Sequence, residues 1–335
     1  MKATLIFFEC IVNTLFFYAE EHSRTQPATL MIRVTEVYMN RRTFFMLLSA
    51  VLWAGFLVSC TSNQVVPDSR IGAKTEKADL AKPKVTPSAI PARIVPTPPN
   101  LSTGTISFPS LDGLQISADL YIKHNLDAPF IILSHRAGWS RGEYLEVAPK
   151  LNALGFNCMA IDLRSGKEKF GVVNQTFEAA VTAGKATLYV DALQDWQAAF
   201  DYARGHYAKG KVIIWGSSFS SSLAISIAKA NAGKVDGLLC FSPGEYFDGI
   251  YGKSASAVQD AAKGLVVPTF FTSKKSEYDK DRKAIFNVIE ATNKTYFVPE
   301  TEGKHGSEAL FSTTTENQAY WAAVIKFLAP FLENK

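Results

Sequence analysis

The sequence predicts an α/β fold: a doubly wound, mostly parallel sheet opened by an antiparallel hairpin and carrying a small cap. Three observations lead there. From about Thr105 to the C-terminus, short β-branched and aromatic runs alternate with stretches apolar at helical spacing, the pattern of parallel strands joined by right-handed crossovers. Within that region Lys211–Ala224, KVIIWGSSFSSSLA, reads as a buried strand, a tight turn carrying Ser218 and then a helix. Ahead of it, Thr61–Ser102 turns to Pro, Lys, Ala, Thr and Ser, a composition that cannot bury a core. What remains is the length of one domain, residues 105–335.

Taken in order, Thr105–Ile122 alternates apolar and polar residues on both sides of Ser110-Leu111-Asp112-Gly113, which predicts the opening hairpin. Phe130–Ser134 is a strand. Tyr144–Leu154 sets Val147, Leu151 and Leu154 on one helical face and stops at Gly155, and Phe156–Asp162 is the next strand. A long helix follows from about Leu188, with Ala192, Trp196, Ala199 and Ala203 along its stripe. After the Ser218 unit come strand-like runs at Leu238–Ser242, Val266–Thr272 and Thr295–Pro299, then a final helix with Trp321, Val324, Ile325 and Leu328. These stripes are ordinary core, and none argues for a cofactor.

Two connections are long enough to shape a pocket. Arg164–Lys185 exceeds a simple crossover and is expected to overhang the site. Gly244–Gly264 holds Tyr246, Phe247 and Tyr251 and predicts an open pocket with an aromatic wall, the aromatics packing under the loop being the other reading.

The turn at Ser218 has the layout of a nucleophile elbow, in which the positions two before and two after the serine must be small. Gly216 meets this and Ser220 meets it less well; a serine-rich stretch could also simply cap a helix. With Gly216-Ser217-Ser218-Phe219-Ser220 in place of the usual G-x-S-x-G, and with the element order above, the chain resembles the α/β-hydrolase superfamily, in its dienelactone-hydrolase-like branch, from about Thr105 to the end. The resemblance implies a Ser-acid-His chain order. Glu277, in the polar loop Ser273–Asp279 after the strand Val266–Thr272, stands where that family places its acid; Asp279 is the reserve and Glu245 a third candidate. His305 follows the last strand, at the sheet edge where open α/β folds build their sites, whereas His22, His124 and His206 are not placed to meet Ser218. The oxyanion hole would use the backbone N–H of Phe219 and, from His135-Arg136-Ala137-Gly138-Trp139 after the strand Phe130–Ser134, that of Ala137, or of Arg136 if the register shifts by one. His135 reads as a residue fastening this loop.

These residues together imply a carboxylesterase-type serine hydrolase working through an acyl-enzyme on a small-molecule ester. Neither a metal nor another cofactor is called for: His, Cys, Asp and Glu do not cluster at zinc spacing, and no G-x-G-x-x-G or P-loop follows a strand. The net charge is +4, from 35 Lys and Arg against 31 Asp and Glu, with no basic stripe to suggest nucleic acid. A catalytically inactive, lipid-anchored binding or scaffold protein of the same fold stays open, because Ser220, Arg136 and the chance that Lys274 and Lys275 draw off Glu277 all depart from the family pattern. So does an acyltransferase.

The front of the chain gives the expected location. From Met39, MNRRTFFMLLSAVLWAGFLVSC has two arginines, an apolar run and then Leu57-Val58-Ser59-Cys60, which resembles a bacterial lipoprotein signal over residues 39–59 with a lipidated Cys60. A single membrane anchor, or a plain signal in which Cys60 is incidental, is the alternative, and Arg41-Arg42 leaves Sec and twin-arginine export both open. Residues 1–38 are expected to be a misassigned extension, residues 60–104 a disordered tether, and the protein to sit lipid-anchored in the bacterial cell envelope, facing the periplasm or exterior. Cys158 and Cys240 fall in strands expected not to be neighbours, so both thiols should be buried and free.

Overall fold

The computed structural model describes residues 104–333. The expected extension, signal segment, Cys60 and nearly all of the tether lie outside the described residues. An eight-stranded sheet runs in the order β1-β2-β4-β3-β7-β8-β9-β10. Its entry is the predicted hairpin, β1 (Gly104–Pro109) against β2 (Gln115–Tyr121), and β2 also pairs antiparallel with β4 (Asn157–Ile161). Every other pair is parallel, through β3 (Phe130–Ser134), β7 (Val212–Ser217), β8 (Gly237–Phe241), β9 (Thr269–Thr272) and β10 (Lys294–Phe297).

The inner parallel strands β4, β3, β7 and β8 are buried on both faces, which is why they read as continuous apolar runs rather than alternating ones, whereas the edge strand β10 is partly exposed. Alternate side chains feed two cores. On one side Phe130, Ile132 and Ile214 meet Trp196 and Ala199 of α3 (Leu193–His206), Leu223 and Ile227 of α4 (Phe219–Ala230), Val258 of α5 (Ala257–Ala262) and Ile285 of α6 (Lys280–Asn287). On the other, Ile131, Leu133 and Trp215 meet Val147 and Leu151 of α1 (Val147–Ala153) and Tyr320, Val324 and Leu328 of α7 (Asn317–Leu332). Gly155, at φ 110°, ends α1 as its C-cap position predicted.

The long connection after β4 is not a bare loop. It holds a small hairpin, β5 (Glu168–Lys169) and β6 (Val172–Val173), turned through Phe170 and Gly171 at positive φ, then α2 (Gln175–Thr182), whose first turn is capped by the Asn174 side chain accepting from Phe177 N at 2.8 Å. Two segments differ from expectation. Val266–Thr272 pairs only from Thr269 onward, because Pro268 has no N–H to give a ladder, and the polar run Ser273–Asp279 after it holds a 3₁₀ turn, Lys275–Glu277, and ends at Asp279, the N-cap of α6. Cys158 in β4 and Cys240 in β8 are buried and free, held apart by β3 and β7.

Candidate active site

Ser218 sits between the end of β7 and the start of α4 at φ 58° and ψ −127°, a strained conformation for a residue with a side chain. The strain is over-determined. Ser218 N donates to Phe241 O of the neighbouring strand at 2.7 Å, and Gly216 leaves no room for a Cβ against the backbone of Ser220 and Ser221. Ser220, the departure from the usual glycine, is accommodated rather than crowded. Its hydroxyl accepts from Ser217 N at 2.9 Å and donates to Ser134 O or Ser217 O, each at 2.9 Å, tying the turn to β3.

His305 lies on the loop after β10, and its Nδ1 meets Glu277 Oε1 at 2.6 Å. The residues after it are fastened to two neighbouring strand ends: Ser307 N donates at 2.9 Å to Ser217 Oγ, beside Ser218, and Gly306 N donates at 2.9 Å to Ser242 Oγ, just past β8. Gly306 packs on Ser217 so closely that a Cβ there would collide with its hydroxyl. Thus Ser218, Glu277 and His305, far apart in the chain, reach one edge of the sheet at the carboxyl ends of β7, β9 and β10.

Of the three candidate acids only Glu277 meets the histidine. Asp279 caps α6, accepting from Arg282 N at 2.9 Å and pairing with the Arg282 guanidinium at 2.7 Å. Glu245 accepts from Val258 N and Gln259 N at 2.8 Å each and so caps α5. Burial by itself would raise the Glu277 carboxyl, but the bond and charge of His305, with Ser242 and Arg282 beside it, outweigh this and hold it below the usual carboxylate value. The two lysines of the loop do not draw it off. Lys274 pairs with Glu302 at 3.5 Å and Lys275 Nζ donates to Glu300 O. Arg282 is the nearby cation, 3.9 Å from Glu277 Oε1.

On the oxyanion side the two readings separate. Arg136 N donates to Glu143 Oε2 at 2.7 Å and is therefore occupied, which removes Arg136 as the donor. Ala137 N and Phe219 N have no protein acceptor among the described residues. His135 is fully buried, and burial pulls its imidazole down to about 4, so it is neutral: Nδ1 donates to Arg136 O at 2.8 Å and Nε2 accepts from Leu163 N at 2.9 Å. It fastens the loop, as its position suggested. The long connection after β4 is stitched to the same loop through Lys167 N to Trp139 O at 3.0 Å and Ser140 Oγ to Val172 O at 2.6 Å, with Lys169 over the Trp139 ring at 3.5 Å.

The expected aromatic wall reduces to one residue. Tyr246 is half-buried, its hydroxyl held by donating to Ser242 O at 2.8 Å and accepting from the Arg282 guanidinium at 3.4 Å. Phe247 is buried in the core, and Tyr251 is exposed and bonded to Asp191 at 3.1 Å. Sequence reasoning missed Glu143, Ser242 and Arg282. Glu143 is a fully buried carboxylate directly before the helical stretch that opens at Tyr144, and its neighbours give no local sign that a charge goes inside.

Residues 128–288 match the family model described as serine aminopeptidase, S33. No curated protein matches the sequence. Among solved structures, a dienelactone hydrolase from Anabaena variabilis ATCC 29413 is 14% identical, with a TM-score of 0.53 over 69% of this chain and 99% of that one. The Pyrococcus furiosus esterase Pf2001 is 17% identical, with a TM-score of 0.50 over 72% and 97%. Thermogutta terrifontis esterase 2 is 14% identical, with a TM-score of 0.50 over 73% and 100%. At such identities the likeness is one of fold.

Proposed function

We propose that this chain, an α/β-hydrolase by fold, is a serine hydrolase that cleaves carboxylic esters through an acyl-enzyme. The observation that carries the reading is the 2.6 Å bond between His305 Nδ1 and Glu277, the histidine's loop being tied through Ser307 N and Ser217 Oγ to the turn where Ser218 is held at positive φ. Glu277 fixes the tautomer in which Nδ1 carries the proton, leaving Nε2 as the base. Nε2 takes the proton of Ser218 as its oxygen attacks the ester carbonyl; the tetrahedral oxyanion is met by the N–H groups of Ala137 and Phe219. The imidazolium then returns the proton to the leaving alcohol, and water cleaves the acyl-enzyme by the same steps in reverse.

The description of the matched family model favours one variation, an amide of a peptide N-terminus as substrate, which the same machinery would cleave by protonating a leaving amine. A fluorophosphonate probe tests the common chemistry. Wild type should label and Ser218→Ala should not; folded wild type that fails to label supports the inactive scaffold instead. Steady-state turnover of p-nitrophenyl esters against aminoacyl p-nitroanilides then decides between ester and amide, and product analysis with an added alcohol reveals an acyltransferase.

Location belongs to the same proposal: lipidation at Cys60 after Leu57-Val58-Ser59 would place the enzyme on a bacterial envelope membrane, facing the periplasm or exterior. Metabolic labelling with an alkyne fatty acid checks it, the label being lost in Cys60→Ala. Label retained in that variant contradicts it.

A further inference from the structure

The Glu143 carboxylate lies beneath the elbow, entirely out of solvent, on the 3₁₀ turn Arg141–Tyr144 that follows the oxyanion loop. Oε2 accepts from Arg136 N at 2.7 Å. Oε1 accepts from the Ser217 hydroxyl at 2.6 Å, and Ser217 Oγ in turn accepts from Ser307 N at 2.9 Å. The oxyanion loop, the residue beside the nucleophile and the loop two residues past His305 therefore converge on one carboxylate and one hydroxyl.

The geometry points to Glu143 as a positioning residue that sets the oxyanion hole against the elbow in the reaction proposed above, and the inference rests on that reading. Peptide planarity supplies the reason. Glu143 fixes the plane that contains Arg136 N, and His135 Nδ1 fixes the next plane by donating to Arg136 O at 2.8 Å. Because the N–H of a trans peptide points opposite to its C=O, holding Arg136 O toward His135 aims Ala137 N the other way. The first tie is anchored to Ser217, so the direction of Ala137 N is referred to the position of Ser218. A carboxylate suits this point because it accepts on both oxygens, and the two donors, one backbone and one hydroxyl, approach from different elements.

The experiment compares Glu143→Ala and Glu143→Gln with wild type in ester turnover and in the rate of fluorophosphonate inactivation. Losing both ties should lower kcat by about 100-fold, the range set by a displaced oxyanion donor, while KM stays within about three-fold because ground-state binding does not use this loop. Gln can still accept from Arg136 N and donate to Ser217 Oγ, so it should rescue kcat to within about three-fold of wild type. A folded Glu143→Ala enzyme with kcat near wild type, a change confined to KM, or a Gln variant as poor as Ala would overturn the assignment. Should Glu143→Ala fail to fold, Ser217→Ala removes only a hydroxyl, cutting the tie from Glu143 to the elbow together with the bond from Ser307 N, and is expected to lower kcat at least about ten-fold by the same misplacement; unchanged kcat there overturns it equally. Wild type that neither turns over nor labels sinks the hydrolase reading and this one together, whereas active wild type with indifferent variants sinks this one alone.

Discussion

Replacing Glu277 by glutamine is the perturbation that bears most directly on the machinery, because three carboxylates compete for the acid role and only one touches His305. The carboxylate is about 13% exposed and its 2.6 Å bond to Nδ1 is short for a neutral pair. In the proposed reaction Nε2 takes up the serine proton, and a full positive charge then appears about 4 Å from the carboxylate. At an effective dielectric near 20 their attraction is about 4 kcal/mol. Glutamine keeps the shape and loses that attraction, so kcat should fall by about 10³-fold, with KM little altered. Asp279→Asn and Glu245→Gln serve as internal references, since those carboxylates cap helices; each should cost about 1 kcal/mol of stability and leave kcat within about two-fold. The assay is steady-state hydrolysis of a short-chain p-nitrophenyl ester, paired with thermal melts to confirm folding. A thousand-fold loss in Asp279→Asn with activity retained in Glu277→Gln would refute the assignment of the acid, and retained activity in all three would refute the triad.

Three further outcomes follow from the site's construction. Ser220→Ala removes the hydroxyl that accepts from the buried Ser217 N, so the protein should lose about 1–3 kcal/mol, read as an earlier urea midpoint; an unchanged midpoint would show that the serine is incidental. Gly216→Ala drives a Cβ into the backbone of Ser220 and Ser221, which cannot yield, and should cost about 3 kcal/mol and abolish probe labelling in whatever folds; normal labelling would mean the turn is looser than described. Burial raises the Glu143 carboxyl from its usual 4.5 to about 7, against the hydrogen bonds from Ser217 and Arg136. The folded state thus holds this proton more tightly than the unfolded chain, and the stability it contributes is complete below about 4.5 and lost as pH rises through about 7. Relative to wild type, Glu143→Gln should gain about 3 kcal/mol between pH 4.5 and pH 8 in denaturant titrations, whereas a difference independent of pH would contradict the shift.

The sequence alone determined the strand and helix order, the elbow at Ser218 and the loops that carry Glu277 and His305, because each rests on a local pattern: an apolar run, a small residue at a tight turn, a polar loop after a strand. It determined too that Gly216 had to be small. What it could not determine were the pairings that depend on which side chain meets which across the fold. Asp279 and Glu277 stand two residues apart in the same polar run, yet one caps a helix and the other holds an imidazole, a division made only when α6 folds. That Arg136 N is already occupied likewise turned on Glu143, seven residues downstream, entering the interior to claim that N–H. Hydrogen bonds between distant segments leave no periodicity in a chain, so the tertiary structure decided them.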